Sequence, residues 1–304
     1  MKIYTLTLNP AYDVHAKSAH FTAGHENLAV ITSREAGGKG VNISRALCNC
    51  GVANTAVIVL GRENSGDFIR AISDMDTVIF KKEGRIRENL TIHCAGAPET
   101  RISFRGFSLD ESILRDVEDM LQTDAETVIT FTGRVPEGIC VSAVKAFLYR
   151  QKQRGAKIVL DSKSFELKDI LDIKPWLIKP NEEEIAALLS CSVTNLAEAA
   201  EKGSIFAENG VANVLISMGD RGAVLLAEGK TYLAKPPAIK AISTIGAGDS
   251  SIAGFLTAAA QDLPPAKRLK LAVAFGTAAC LTEGSQPPRK DAIDQICKEI
   301  RIIE

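Results

Sequence analysis

ETVITFTG (126–133), AKIVLDS (156–162), PWLIKPN (175–181) and NVLISMG (213–219) are four apolar runs separated by helical stretches, and their reading decides the fold. Each run is short, bounded by Gly, Pro or Asn, and lacks strict in-out alternation, as expected of a strand covered on both faces. Strands alternating with helices build parallel βαβ units. Working outward, KIYTLTLN (2–9) and NTAVIVLG (54–61) read as further buried strands. The C-terminal third carries helix-compatible spacing over 249–261, 265–281 and 290–302, with breaks at Pro264, Pro265, Pro287 and Pro288. The pattern predicts an α/β protein, a doubly wound and mostly parallel sheet flanked by helices.

Two stretches depart from it. Residues at about 14–32 and 88–106 alternate polar and apolar residues with no helix between them, and read as a small β-sheet lid inserted into a single domain spanning 1–304. A sheet of two to four strands seldom stands alone in water. Such a lid has one face for the site and one for a partner, and is a candidate homodimer interface.

The composition is that of a soluble globular chain: 304 residues, 46% hydrophobic, 24% charged, formal net charge -1. The near-balance excludes the basic excess that draws a protein to nucleic acid or to a membrane surface, and points to small-molecule partners. No stretch approaches the roughly 18 apolar residues of a membrane span. The N-terminal MKIYTLTLNPAYD is broken by Asn9 and Pro10 and lacks a signal-peptide core, so a cytoplasmic location is expected. The seven cysteines are scattered and read as reduced thiols; Cys48 and Cys50 lack the partners of a zinc site. His15, His20 and His25 recur every five residues, a spacing that keeps to no face, and read as surface or loop histidines.

Three motifs carry chemistry. Thr244-Ile245-Gly246-Ala247-Gly248-Asp249-Ser250 opens an Ala-rich helix. Small residues at a helix N-terminus let unpartnered N–H groups approach an anionic oxygen, so Gly246, Ala247 and Gly248 suit a transferring phosphoryl group and Asp249 suits a base for the attacking hydroxyl. An acid in a first helical turn is also favoured by the helix dipole alone. Ala36-Gly37-Gly38-Lys39-Gly40-Val41-Asn42 is a second glycine turn, with a cation and an amide fit for a hydroxylated ligand. It is no phosphate loop of the Walker type, because Gly40 follows Lys39 and Ser33 stands at the leading position. Asn181-Glu182-Glu183-Glu184 follows a strand end, the edge where open α/β sheets bind ligands, and its oxygens could hold Mg2+ through water.

Together these residues resemble the ribokinase-like sugar kinases, in particular the phosphofructokinase B branch. The resemblance runs the length of the chain: Asn9 to Asp13, Ala36 to Asn42, Arg87-Glu88-Asn89, Gly133 with Val135-Pro136 and Gly138, Asp161-Ser162, Lys179-Pro180-Asn181 with Glu184, Ser217-Met218-Gly219 with Gly222, and Thr244 to Ser250. It implies ATP and Mg2+, and one large α/β domain with a β lid that closes over the sugar and can form a dimer interface. By position it implies that Asp13, Gly37, Gly38, Lys39 and Asn42 bind the sugar, with Arg87 and Arg101 toward a sugar phosphate. Lys179, Ser217, Gly219, Gly222 and Gly248 fall on the nucleotide side, Asn181 and Glu184 on the magnesium side, and Asp249 is the base. Asp13 itself reads as lying in a turn after the first strand.

The implied reaction is phosphorylation of a phosphorylated ketohexose, fructose 1-phosphate first, with tagatose 6-phosphate and fructose 6-phosphate next. Three departures bear on the substrate. Leu28 stands where many phosphohexose kinases of the branch have arginine, Thr91 where a basic residue is frequent, and Arg134 where a small residue is usual. They keep a kinase of an unphosphorylated sugar or nucleoside as a rival, against which Lys39, Arg87 and Arg101 argue. A non-catalytic metabolite sensor is the rival of another class, and Asp249 with its glycine donors argues against it.

Overall fold

The computed structural model describes residues 1–303. The strands are β1 (Lys2–Thr7), β2 (Ala11–Ser18), β3 (Ala29–Gly37), β4 (Thr55–Gly61), β5 (Thr77–Lys82), β6 (Arg87–Cys94), β7 (Thr100–Ile102), β8 (Thr127–Thr132), β9 (Lys157–Asp161), β10 (Leu177–Ile178), β11 (Asn213–Ser217), β12 (Ala223–Ala227), β13 (Lys230–Lys235) and β14 (Arg301–Ile303). The helices are α1 (Lys39–Asn49), α2 (Ser65–Ala71), α3 (Ser112–Met120), α4 (Val141–Gln153), α5 (Leu167–Ile173), α6 (Glu182–Leu189), α7 (Leu196–Glu208), α8 (Ala247–Ala260), α9 (Pro265–Ala279) and α10 (Lys290–Glu299).

The main sheet has ten strands in the order β14-β13-β12-β11-β10-β9-β8-β1-β4-β5. It is parallel from β5 to β11, and β12, β13 and β14 add antiparallel pairs at one edge. Every residue of β8 is buried, which is why its sequence is a continuous apolar and threonine run. Helices cover both faces, and the core divides accordingly, with Phe131, Phe147 and Phe206 on one side and Phe255, Phe275 and Leu256 on the other. The Ala- and Gly-rich composition of α8 follows from its burial: at Gly254 a Cβ would meet the Leu271 carbonyl of α9, so the two helices touch through backbone.

A second sheet has four strands, in the order β3-β2-β6-β7, with β2 and β6 parallel and the outer pairs antiparallel. Its buried Tyr12 and Val14 pack with Ile58, Leu60 and Phe68 of the main body. Two expectations are corrected here. Asp13 lies inside β2 and not in a turn, because Asn9-Pro10 makes one corner and the chain re-enters a sheet at Ala11. The final helix stops at Glu299, and Arg301–Ile303 form β14 against β13, where a β-branched pair suits an edge strand better than a helix end.

Candidate active site

Asp249 is the third residue of α8 and is 6% exposed. The helix starts from Gly246, whose φ of 77° puts it in the left-handed region, and the Ser250 N–H returns to its carbonyl at 2.8 Å. Of the three small residues expected to present amides, Ala247 turns its N–H to the Thr244 carbonyl at 3.3 Å. Among the described residues the Gly246 and Gly248 N–H groups have no backbone acceptor. Gly248 is open because of what stands beside it: a Cβ there would come within 3.1 Å of Lys179 Nζ. Glycine N–H groups and a buried ammonium therefore meet at the start of one helix, a setting for anionic oxygens.

Asn42, one turn into α1, donates from Nδ2 to Asp249 Oδ2 at 2.8 Å. Lys39, the first residue of α1, places Nζ 2.7 Å from Asp161 Oδ2 at the end of β9. Burial is the largest influence on Asp249 and raises its pKa; Lys39 lowers it, Asp161 raises it, and the outcome is about 6. Burial likewise works to raise Asp161, but Lys179 and then Lys39 hold it below the usual carboxylate range. Burial opposes the charge on Lys39, yet Asp161 and then Asp249 keep its ammonium above the ordinary lysine range. The outcome is one carboxylate committed to an ion pair and a second poised near neutral pH, a division of labour that suits a general base.

The small sheet faces this cluster with Asp13, which is 4% exposed. Its Oδ1 accepts from Asn89 Nδ2 and from Arg101 Nη2, each at 3.1 Å. A side chain at Gly37 would collide with Oδ2 of Asp13, so that position must lack one. Arg87 is spent on the corner before β2: it donates to the carbonyls of Asn9 at 3.3 Å, Pro10 at 3.4 Å and Phe104 at 3.0 Å. Two buried acceptors, Asn42 Oδ1 and Asn89 Oδ1, have no protein donor. Buried polar atoms are normally satisfied. Acceptors left over beside Asp249 and Asp13 fit a ligand that brings hydroxyl groups.

On the other side of Gly248, Lys179 follows β10, and Asn181 makes an isolated parallel bridge to Ser217 at the end of β11. Gly219 (φ 59°) opens a single 3-10 turn and Gly222 (φ 115°) follows it, and at Gly222 a Cβ would strike the Ala234 carbonyl. Asn181 caps α6: its Oδ1 accepts the Glu184 N–H at 2.8 Å, and Glu184 Oε2 accepts the Asn181 N–H at 3.1 Å. Glu184 Oε1 lies 3.4 Å from Lys163 Nζ. These commitments leave no free pair of oxygens for direct ligation of a cation; an acceptor for a metal-bound water remains at Oε1. Among the described residues no group of three or more His, Cys, Asp or Glu side chains could hold a metal by itself. A cavity of about 790 Å³ lies alongside between α5 and α6 and reaches the site at Asp161, Lys179 and Glu184, without including Asp249 or Asn42.

The pfkB family carbohydrate kinase model matches residues 7–292. The chain belongs to this family of carbohydrate kinases. It is 29% identical over 304 residues to the 1-phosphofructokinase of Bacillus subtilis (strain 168), covering 99% of each chain. It is 32% identical over 307 residues to that of Borreliella burgdorferi, covering 99% of this chain and 98% of the other. The crystal structure of phosphofructokinase-2 from Escherichia coli superposes with a TM-score of 0.92 at 24% identity over 98% of this chain and 99% of that one, which is a likeness of fold. As a carbohydrate kinase the protein is a phosphotransferase with an alcohol acceptor, and the sheet with its flanking helices is of the ribokinase-like kind.

Asp161 and Asn89 belong to the clusters around Asp249 and Asp13, although the motifs that contain them carried no role in sequence. Asp161 had a signal, an acid at the C-terminal end of a buried parallel strand. His15 corrects its reading as a surface residue. It is 4% exposed, on the same face of β2 as Asp13, with Nδ1 3.0 Å from His93 Nε2, because the turn at Gly284 covers it. His20 and His25 are exposed.

Proposed function

We propose that this kinase transfers the γ-phosphoryl group of ATP to a primary hydroxyl of a phosphorylated ketohexose, with fructose 1-phosphate the first candidate and tagatose 6-phosphate or fructose 6-phosphate next. The observation that carries the reading is Asp249: buried, held by Asn42, with a pKa near 6, at the mouth of a glycine-built helix start beside Lys179. Asp249 takes the proton of the attacking hydroxyl, and Asn42, fixed on Asp249, accepts a neighbouring hydroxyl through Oδ1. Asp13 and Asn89 orient the rest of the sugar. The Gly246 and Gly248 amides with Lys179 stabilise charge on the phosphoryl oxygens as it spreads in the transition state. The four-stranded sheet acts as the lid that excludes water.

On the nucleotide side, Ser217, Gly219 and Gly222 form the turn against which ATP lies. Mg2+, when bound, neutralises the nucleotide phosphates, and Glu184 Oε1 would accept one of its waters. The 1-phosphofructokinases among the relatives support the sugar phosphate over an unphosphorylated sugar, as do the arginines at 87 and 101. No helix among the described residues is long and apolar enough to cross a membrane. We infer an enzyme of small metabolites in the cytoplasm, and a homodimer through the lid.

The experiment is ADP release with ATP and Mg2+ across fructose 1-phosphate, fructose 6-phosphate, tagatose 6-phosphate, fructose, ribose and adenosine. Turnover is expected with a phosphorylated ketohexose, falling about 10²- to 10⁴-fold in Asp249→Asn, the span typical of a lost general base. Response to unphosphorylated compounds alone would overturn the substrate class. No turnover with any of them would favour a sensor, and near-normal activity of Asp249→Asn would remove the base.

A further inference from the structure

Arg134 follows Gly133 just beyond β8 and is exposed, and among the described residues it has no hydrogen bond and no carboxylate within ion-pair distance. Its surroundings are fixed from two sides. β1 and β8 pair in parallel up to Leu6↔Phe131, so the corner at Asn9-Pro10 and the loop carrying Arg134 leave the same end of neighbouring strands. The loop carrying Arg134 is tied down by the Leu109 N–H, which donates to the Glu137 carbonyl at 2.8 Å, and by the Ser108 hydroxyl on the same carbonyl at 3.2 Å. Arg87 reaches the neighbouring carbonyls of Asn9, Pro10 and Phe104 from the small sheet, and Gly106 packs against the Asn9 side chain.

Arg87, Arg101 and Arg134 thus border one mouth between the two sheets, with Asp13 as the carboxylate among them. The field is legible at Arg87, which burial, then Arg101 and Arg134, hold below the usual guanidinium range while Asp13 alone pulls the other way. Asp13 answers Arg101 directly, with Oδ1 3.1 Å from Nη2, and Arg134 is left with no carboxylate partner among the described residues. Like charges are gathered at a cost unless an anion answers them. A phosphate monoester carries about two negative charges near neutral pH, and its oxygens match the guanidinium fork.

We propose that Arg134 is a specificity-determining residue that grips the phosphate of the sugar substrate together with Arg101, supplying the cation that Leu28 and Thr91 do not. Arg87, its donors engaged by carbonyls, holds the mouth in shape and adds to the field. This rests on the reading of the enzyme as a sugar-phosphate kinase.

The test uses Arg134→Ser and Arg134→Lys in the full chain. For Arg134→Ser, KM for fructose 1-phosphate is expected to rise about 10- to 100-fold, the usual worth of a hydrogen bond to a charged group. The same variant should keep kcat, KM for ATP and kcat/KM for unphosphorylated fructose, and Arg134→Lys should recover part of the loss. An unchanged KM for the sugar phosphate, or an equal loss with both sugars, overturns the proposal. Calorimetric titration of inorganic phosphate into wild type and Arg134→Ser, without ATP, separates this from the substrate reading. Should wild type turn over no sugar phosphate, phosphate affinity that depends on Arg134 still upholds the role, and equal affinity in the two proteins ends it.

Discussion

Asp249 and Asp161 sit in one buried cluster and feel the same two lysines, yet one is held up near pH 6 and the other is pressed down, and the contrast goes with the group each carboxylate touches. Asp161 has Lys39 within hydrogen-bond distance, whereas Asp249 has an amide there. The raised pKa has a consequence for stability with a definite sign. An acid whose pKa in the fold lies above its ordinary 3.8 pays for being ionised in place, fully above about pH 6 and not at all below about pH 4. A shift from 3.8 to about 6 corresponds to roughly 3 kcal/mol. Asp249→Asn keeps the acceptor for Asn42 and sheds the charge. It should therefore be the more stable protein by up to about 3 kcal/mol in urea unfolding at pH 8, with the difference gone near pH 4. The same ionisation should appear in kcat/KM of the wild type, rising with pH through about 6. A variant less stable than wild type at pH 8 would show that the burial cost is not felt there.

At the scale of elements, α6 begins with a reciprocal cap, and this bears on the proposed magnesium side. Asn181 gives its side-chain oxygen to the Glu184 N–H, so what it does first is start a helix. Glu184 retains an oxygen paired only to the exposed Lys163, and the two residues should separate on mutation. Asn181→Ala is expected to cost about 1 kcal/mol of stability, as for other lost caps, with little change in the Mg2+ needed for half-maximal rate. Glu184→Gln keeps an acceptor for the cap and should raise that requirement about 10- to 100-fold, as for residues that orient a metal's waters. Half-maximal Mg2+ read against chemical denaturation distinguishes them. If Asn181→Ala shifts the Mg2+ requirement and Glu184→Gln does not, the assignment is reversed. The other helix of the site, α8, was easier to anticipate, because its small residues answer two demands at once, close contact with α9 and open amides at its start.

For the whole molecule, the parallel sheet was legible because strands buried on both faces lack in-out alternation, as the apolar and threonine run 127–132 and the apolar centre of 157–161 do. The antiparallel edge was not, since β14 is a short strand made only by pairing with a hairpin, β12–β13, that the βαβ pattern does not contain. For the site, motifs such as Gly246 to Asp249 were visible locally. The pairs that give them meaning span 122 residues from Lys39 to Asp161 and 207 from Asn42 to Asp249, and no local pattern encodes which strand ends adjoin. The same holds for the small sheet, whose strands were foreseen but whose exposed edge was not. Along β3 and the residue before it, Leu28 is 85% exposed, Val30 70% and Ile31 66%, on an edge strand with unpaired backbone groups. A contiguous apolar edge of this kind is a liability in an isolated chain unless something covers it. The proposed lid-to-lid dimer covers it with the same residues of a second copy, as a two-fold contact requires. Sedimentation should therefore give a dimer at micromolar concentration, and the double variant Val30→Lys with Ile31→Lys should give a folded monomer, because like charges would then face each other across the axis. If the lid closes more readily when its edge is fixed, the monomer's KM for the sugar phosphate rises with its fold intact by circular dichroism. A wild-type chain that sediments as a monomer would sink the dimer.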